Sequence, residues 1–216
     1  MHRFAAERRR MVDLQIEGRG LVDPRLLQAF MDVPRHIFVP PTSRNWAYDD
    51  CPLPIGWGQT ISQPYIVALM TSLVDVRGTD RVLEVGTGSG YQAAILGRLA
   101  GEVHTVELIP ELARRAQRRL GRLGYRNVHV HPSDGSLGWP AASPYSAILV
   151  TAASPAVPAP LRGQLGDNGR MVIPLDSRDG YQTMVLIRCQ GGETTERSIA
   201  SVAFVPLRGR YGRRGP

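Results

Sequence analysis

The chain has 216 residues, 43% apolar and 21% charged, with 26 basic and 19 acidic residues giving a formal net charge of +7. That length suits one domain with a substantial core, the composition is that of an ordinary globular protein, and no stretch approaches the roughly 20 apolar residues of a membrane helix. Cys51 and Cys189 form no CxxC pair, which excludes a disulfide framework and a zinc site of that type and suits a reducing cytoplasm.

Near the start, Arg8, Arg9 and Arg10 are followed by no apolar run of signal-peptide length, so export is not expected. Apolar residues recur at helical spacing over 3–19 and 24–32, with Gly18 and Gly20 as the break, which predicts two short helices. Residues 33–63 carry Pro34, Pro40, Pro41, Pro52, Pro54, Gly56 and Gly58, too much punctuation for regular structure. An ordered loop is expected there, and loops of that length in compact domains are usually functional.

From residue 64 onward helices and strands alternate. The pattern predicts helices over 64–74, 91–99, 110–123 and 158–165, and strands over 81–85, 102–107, 128–131, 146–151, 170–174, 182–188 and 198–205. Such alternation implies an α/β fold: a doubly wound, mainly parallel sheet covered on both faces, with the last strands adding an antiparallel edge hairpin. Arg114, Arg115, Arg118, Arg119 and Arg122 read as the wet face of one helix, and not as a nucleic-acid site. The Gly- and Arg-rich residues 208–216 read as a frayed basic tail. The expected organisation is therefore a single domain, with helices and loop over 1–56, the core over 57–207 and the tail after it.

The chemistry begins where the strand Val82-Leu83-Glu84-Val85 runs into Gly86-Thr87-Gly88-Ser89-Gly90 and a helix. Glycines there let a ligand approach the backbone at the carboxyl end of a strand, where open α/β sheets bind ligands. A dinucleotide fingerprint would place its third glycine at Tyr91, and the GKS or GKT ending of a phosphate-binding P-loop is missing. Glu107 closes the next strand, about 20 residues beyond the first glycine, where an acid can accept from both ribose hydroxyls. Asp134, followed by Gly135, closes the third and could receive the adenine amine. These strand ends describe an adenosine without phosphates.

Read with the segment before them, these residues resemble the protein-L-isoaspartate O-methyltransferase family. The resemblance spans residues 33–207. Its most specific part is the string Pro52-Leu53-Pro54-Ile55-Gly56-Trp57-Gly58-Gln59-Thr60-Ile61-Ser62-Gln63-Pro64, supported by Val33-Pro34-Arg35, Phe38-Val39-Pro40, Val150-Thr151-Ala152-Ala153 and Phe204-Val205-Pro206-Leu207. Ser133, Asp167-Asn168-Gly169 and Ala203 depart from the family pattern.

The resemblance implies a Rossmann-like class I methyltransferase fold and methyl transfer from S-adenosylmethionine, leaving S-adenosylhomocysteine. The acceptor would be the free carboxylate of an L-isoaspartyl residue, or less efficiently a D-aspartyl one, in damaged proteins and peptides. It implies Ser62 as the active-site hydroxyl, with Thr60 as a second donor. Cofactor contacts are expected from Gly86, Thr87, Gly88, Ser89, Gly90, Glu107, Asp134, Gly135 and Gln63, and substrate contacts from Ile61 and Gln182. Ser62 is equally placed to cap the helix that follows. A monomeric cytoplasmic enzyme without nucleic-acid or membrane partners is expected.

Other chemistries fit less well. His129 and His131 alternate on one strand without an evident third ligand, so no metal is expected. A G-x-S-x-G nucleophile elbow at Ser89 would require glycine at position 87, where Thr87 stands. Trp46, Trp57 and Trp139 could frame an acceptor cleft. The rivals are a methyltransferase of the same fold acting on a modified peptide, and a non-catalytic binder using its arginines on RNA.

Overall fold

The computed structural model describes residues 2–177 and 179–213. Helix α1 (His2–Met11) continues through a π-helical turn, Val12–Ile16, and a 3-10 turn, Glu17–Arg19, ending at Gly20 with φ +88°. Helix α2 (Pro24–Asp32) starts where the Asp23 carboxylate accepts the Arg25 N–H at 2.9 Å, with Pro24 pre-set for the first turn.

The proline-rich segment is more regular than its composition implies. It holds 3-10 helices Arg35–Ile37 and Pro41–Trp46, then a two-stranded antiparallel hairpin of β1 (Leu53–Gly56) and β2 (Gln59–Ile61). Gly56, Trp57 and Gly58, all at positive φ, turn the hairpin, and Pro54 is tolerated because both strands are edges.

The core follows as α3 (Pro64–Leu73), β3 (Arg81–Val85), α4 (Tyr91–Leu99), β4 (Glu102–Glu107), α5 (Pro110–Arg122), β5 (Val128–Pro132), β6 (Tyr145–Val150), α6 (Ala159–Gln164), β7 (Leu165–Asp176), β8 (Gln182–Gln190) and β9 (Glu193–Val202). The sheet order is β5-β4-β3-β6-β7-β8-β9, with the first five parallel and β8 and β9 antiparallel. Order reverses between β3 and β6, the topological switch point at which such sheets bind ligands. Val85 aligns with Val106 on one side and Val150 on the other, so three strands end at one level.

β3, β4 and β6 are buried on both faces, in keeping with the apolar runs of β3 and β6. α5 buries Leu112, Ala113, Ala116 and Leu120 and turns its arginines outward.

Two strands differ from expectation. β7 begins five residues early and bulges between Leu165 and Arg170, where Asn168 adopts φ +58°. β9 spans Glu193–Val202, not 198–205, because Gly191 and Gly192, both at positive φ, set a tight turn that pairs its polar first half with β8.

The tail does not fray over its described residues. The Arg210 N–H donates to Asp134 Oδ2 at 2.7 Å, the Tyr211 N–H to Ser136 Oγ at 3.0 Å, and Arg213 pairs with Asp176 at 2.9 Å. Residues 214–216 lie outside the described residues. Among the described residues no helix is long and apolar enough to cross a membrane.

Candidate active site

A cavity opens at the carboxyl ends of β3, β4 and β6, where open α/β sheets bind ligands. Gly86 sits at φ +98°, and a Cβ there would stand 2.5 Å from Thr151 Oγ1, so the first turn of the loop requires glycine. The Thr151 hydroxyl lies 3.0 Å from the Val85 carbonyl and 2.8 Å from that of Gly86, fastening the loop to β6. On the other side Thr87 and Thr105 hydroxyls meet at 2.6 Å, and Thr105 donates to Glu84 Oε2 at 2.5 Å. Glu84 is fully buried with Oε1 unpartnered, and burial pushes its pKa up to about 8. Near neutral pH it therefore retains its proton beneath the loop.

Glu107 has the geometry a vicinal diol needs. Its Oε2 accepts the Gly88 N–H at 2.7 Å and its Oε1 the Ile109 N–H at 2.9 Å. Each oxygen keeps a lone pair for the cavity. Burial raises its pKa and the backbone donors oppose that rise. Val85, Val106, Ile109 and Leu207 give the cavity apolar walls suited to a purine, and Arg208 is its sole lining cation among the described residues.

A second cavity, of about 920 Å³, is lined by Pro52, Thr60, Ser62, Gln63, Ile66, Thr151 and residues 201–205. Thr60, Thr151 and Val205 belong to both cavities, so the two adjoin. Ser62 is half-buried, and among the described residues its hydroxyl makes no hydrogen bond. The residue preceding α3 is Gln63, and no side chain caps that helix. Ser62 therefore has its hydroxyl free for a ligand, whereas the capping alternative is not realised.

The remaining expected residues divide. Gly86, Gly88, Glu107 and Gly135 line the first cavity. Thr87 is buried behind it, Ser89 Oγ accepts the Tyr91 N–H at 3.2 Å, and Gly90 faces Ala116 and Leu120 of α5. Gln63 lines the second cavity, not the first. The Asp134 carboxylate is taken up by Ser136 and by the Arg210 N–H, outside the cavity lining. Ile61 is buried in the core. Gln182 exchanges two hydrogen bonds with the Phe204 backbone, at 2.6 and 3.2 Å, so it shapes the second cavity indirectly.

The histidines form their own cluster: His131 lies 3.0 Å from His104 and stacks on Trp139 at 3.8 Å. Burial, then the His104 and His129 charges, lower the His131 pKa to about 4. Among the described residues no group of three His, Cys, Asp or Glu side chains could hold a metal ion. The tryptophans do not frame the second cavity: Trp46 is exposed, Trp57 lies under Arg115 and Trp139 packs on His131. Sequence reasoning assigned no role to Leu108, Ile109, Thr151, Ala152, Leu207 or Arg208, all of which line the first cavity. The strings at 150–153 and 204–207 were the available signal for half of them.

Comparison with known proteins identifies the family. The family model described as protein-L-isoaspartate(D-aspartate) O-methyltransferase matches residues 6–212. The protein-L-isoaspartate O-methyltransferase of Methanoregula boonei is 55% identical, over 95% of this chain and 94% of its own. A solved protein-L-isoaspartate O-methyltransferase superposes with a TM-score of 0.86 at 29% identity, covering 95% of this chain and 67% of that one. The same fold, at 23% identity and TM-score 0.80, occurs in a protein from Plasmodium falciparum described as a putative protein-L-isoaspartate O-methyltransferase and crystallised with S-adenosyl-L-homocysteine; it covers 94% of this chain and 98% of that one. Matched by that family model and by such relatives along nearly its whole length, the chain belongs to the protein-L-isoaspartate(D-aspartate) O-methyltransferase family.

Proposed function

We propose that the first cavity holds S-adenosylmethionine and the second receives the isoaspartyl or D-aspartyl carboxylate of a damaged polypeptide. The protein is a repair methyltransferase that esterifies that carboxylate. The observation that carries the assignment of roles is Glu107, anchored by two backbone donors in an apolar cavity that adjoins the unpartnered Ser62 hydroxyl.

S-adenosylmethionine supplies the electrophile, a methyl group on a sulfonium. Glu107 receives the ribose hydroxyls, and the bare backbone of Gly86 and Gly88 admits the rest of the ligand at close range. Gly135 walls the adenine end.

The acceptor carboxylate, which in water titrates near about pH 4, is already ionised at neutral pH and needs no strong base. Ser62 and Thr60 donate hydrogen bonds that aim one of its oxygens at the methyl group. A hydroxyl does this with less quenching of nucleophilicity than a guanidinium clamp would cause. The task left to the chain is placement, with the reacting atoms about 3 to 3.5 Å apart, and exclusion of water. We further assign the protein to the cytoplasm, as a monomer.

The test is methyl transfer from labelled S-adenosylmethionine to matched peptides containing Asp or isoaspartate. Base-labile label on the isoaspartyl peptide alone is expected. Ser62→Ala should lower kcat/KM by about 10- to 100-fold while leaving cofactor affinity unchanged. Equal labelling of both peptides would remove the repair function, and an unaffected Ser62→Ala would remove Ser62 from the site.

A further inference from the structure

Five of the 13 residues of α5 are arginine, and its one acid, Glu111, already pairs with Arg114 at 2.8 Å. Among the described residues Arg115, Arg118, Arg119, Arg122 and the nearby Arg44 have no carboxylate partner. Like charges three and four residues apart destabilise a helix by a few tenths of a kcal/mol per pair. This face is also not simply solvated. Arg119 Nη1 donates to the Ser89 carbonyl at 2.6 Å, and burial, then the Arg115 charge, hold its pKa below the usual value. The Arg115 guanidinium lies 4.4 Å over the Trp57 ring.

Two cavities meet along this face. One, of about 750 Å³, lies between the arginines, Ile37 and Leu123. The other, of about 630 Å³, adds Phe38, Pro40, Arg44, Ile55 and Leu112. Ile37, Arg115 and Arg119 line both, so they form one groove with a cationic wall and an apolar one. The groove runs along the outer side of the glycine loop, past Ser89, and is separate from the Ser62 cavity.

We infer that this groove is a docking site for an extended, carboxylate-rich polypeptide segment. Arg115 and Arg119, like Arg118 and Arg122, are about 6 Å apart along the helix axis. Alternate side chains of an extended peptide are about 6 to 7 Å apart. Carboxylates on one face of such a peptide meet the arginine pairs while the intervening apolar side chains face Ile37, Pro40 and Leu123. The chain carries all 26 basic residues as arginine and none as lysine, and arginine pairs with carboxylates in a two-pronged geometry. A single-stranded nucleic acid is the poorer fit, because it needs open aromatic platforms. Phe38 is buried, and Arg115 covers one face of Trp57.

The inference is independent of the catalytic roles given to Ser62 and Glu107, since it is read by binding. A labelled peptide of alternating Glu and Val would be titrated into the full chain by fluorescence anisotropy, beside a single-stranded oligonucleotide of equal charge. Arg118→Ser/Arg122→Ser leaves the Arg115 and Arg119 contacts in place, and Arg9→Ser/Arg10→Ser removes the same charge elsewhere. Salt-sensitive binding of the peptide, weakened about tenfold by the first pair and little by the second, is expected. Turnover, by both variants, of a short isoaspartyl peptide with no other charged side chain would confirm intact folding. Absence of peptide binding at low salt, equal weakening by both pairs, or tighter binding of the oligonucleotide through Arg118 and Arg122 would overturn the inference.

Discussion

At the scale of single residues, Glu84 shows how a buried acid can brace a ligand loop. Its carboxyl lies under Gly86–Gly88, joined through Thr105 to Thr87, and is held protonated by burial, with its pKa pushed up to about 8 from 4.5. The folded chain thus keeps a proton that the unfolded chain releases above about pH 4.5. Stability from this group is complete below that pH and is lost as pH rises through about 8. Glu84→Gln keeps a hydrogen-bonding partner for Thr105 but cannot ionise. Thermal melts across that window should show the wild-type Tm falling more steeply than that of Glu84→Gln, whereas parallel profiles would contradict the assignment. Glu107 was legible from its spacing behind the glycines. Asp134 was only partly so: the Arg210 N–H that occupies it lies 76 positions along the chain.

At the scale of elements, the β1–β2 hairpin and the tail bound the first cavity from distant parts of the sequence. The hairpin contributes Gln59 and Thr60 to the cavity, and its tip is held to α5 by the Arg115–Trp57 contact. Such an exposed cation–π contact contributes about 0.5 to 1 kcal/mol. Trp57→Ala should therefore leave global stability nearly intact, speed hydrogen exchange over 53–61 and raise the KM for S-adenosylmethionine several-fold. An unchanged exchange rate would show that the tip is fixed by other contacts. The tail depends on Asp134 in the same way. Asp134→Ala removes the acceptor for the Arg210 N–H and the partner of Ser136, so trypsin should cut after Arg208 or Arg210 faster than in wild type. Composition suggested fraying there because glycine and arginine bury little apolar surface. The contacts that order the segment are backbone hydrogen bonds to distant side chains, which composition does not register.

At the scale of the whole molecule, the sheet centre sets stability while the strand ends set function. Leu83 of β3 is completely buried in the cluster that joins β3, β6 and β7. Leu83→Ala should lower the unfolding free energy by about 2 to 5 kcal/mol, read from the urea midpoint. A change below about 1 kcal/mol would mean that the core refills the cavity. The sequence by itself determined the alternating elements, the parallel sheet, the glycine loop and Glu107, because each is written in local periodicity or in spacing within one strand-loop-helix unit. Tertiary structure alone decided three further things: that Ser62 faces an adjoining cavity and caps nothing, that the tail docks on Asp134, and that the arginines of α5 line a groove. Each of those depends on contacts between segments tens of residues apart, and their relative placement follows from how the apolar faces pack together, which no local pattern encodes.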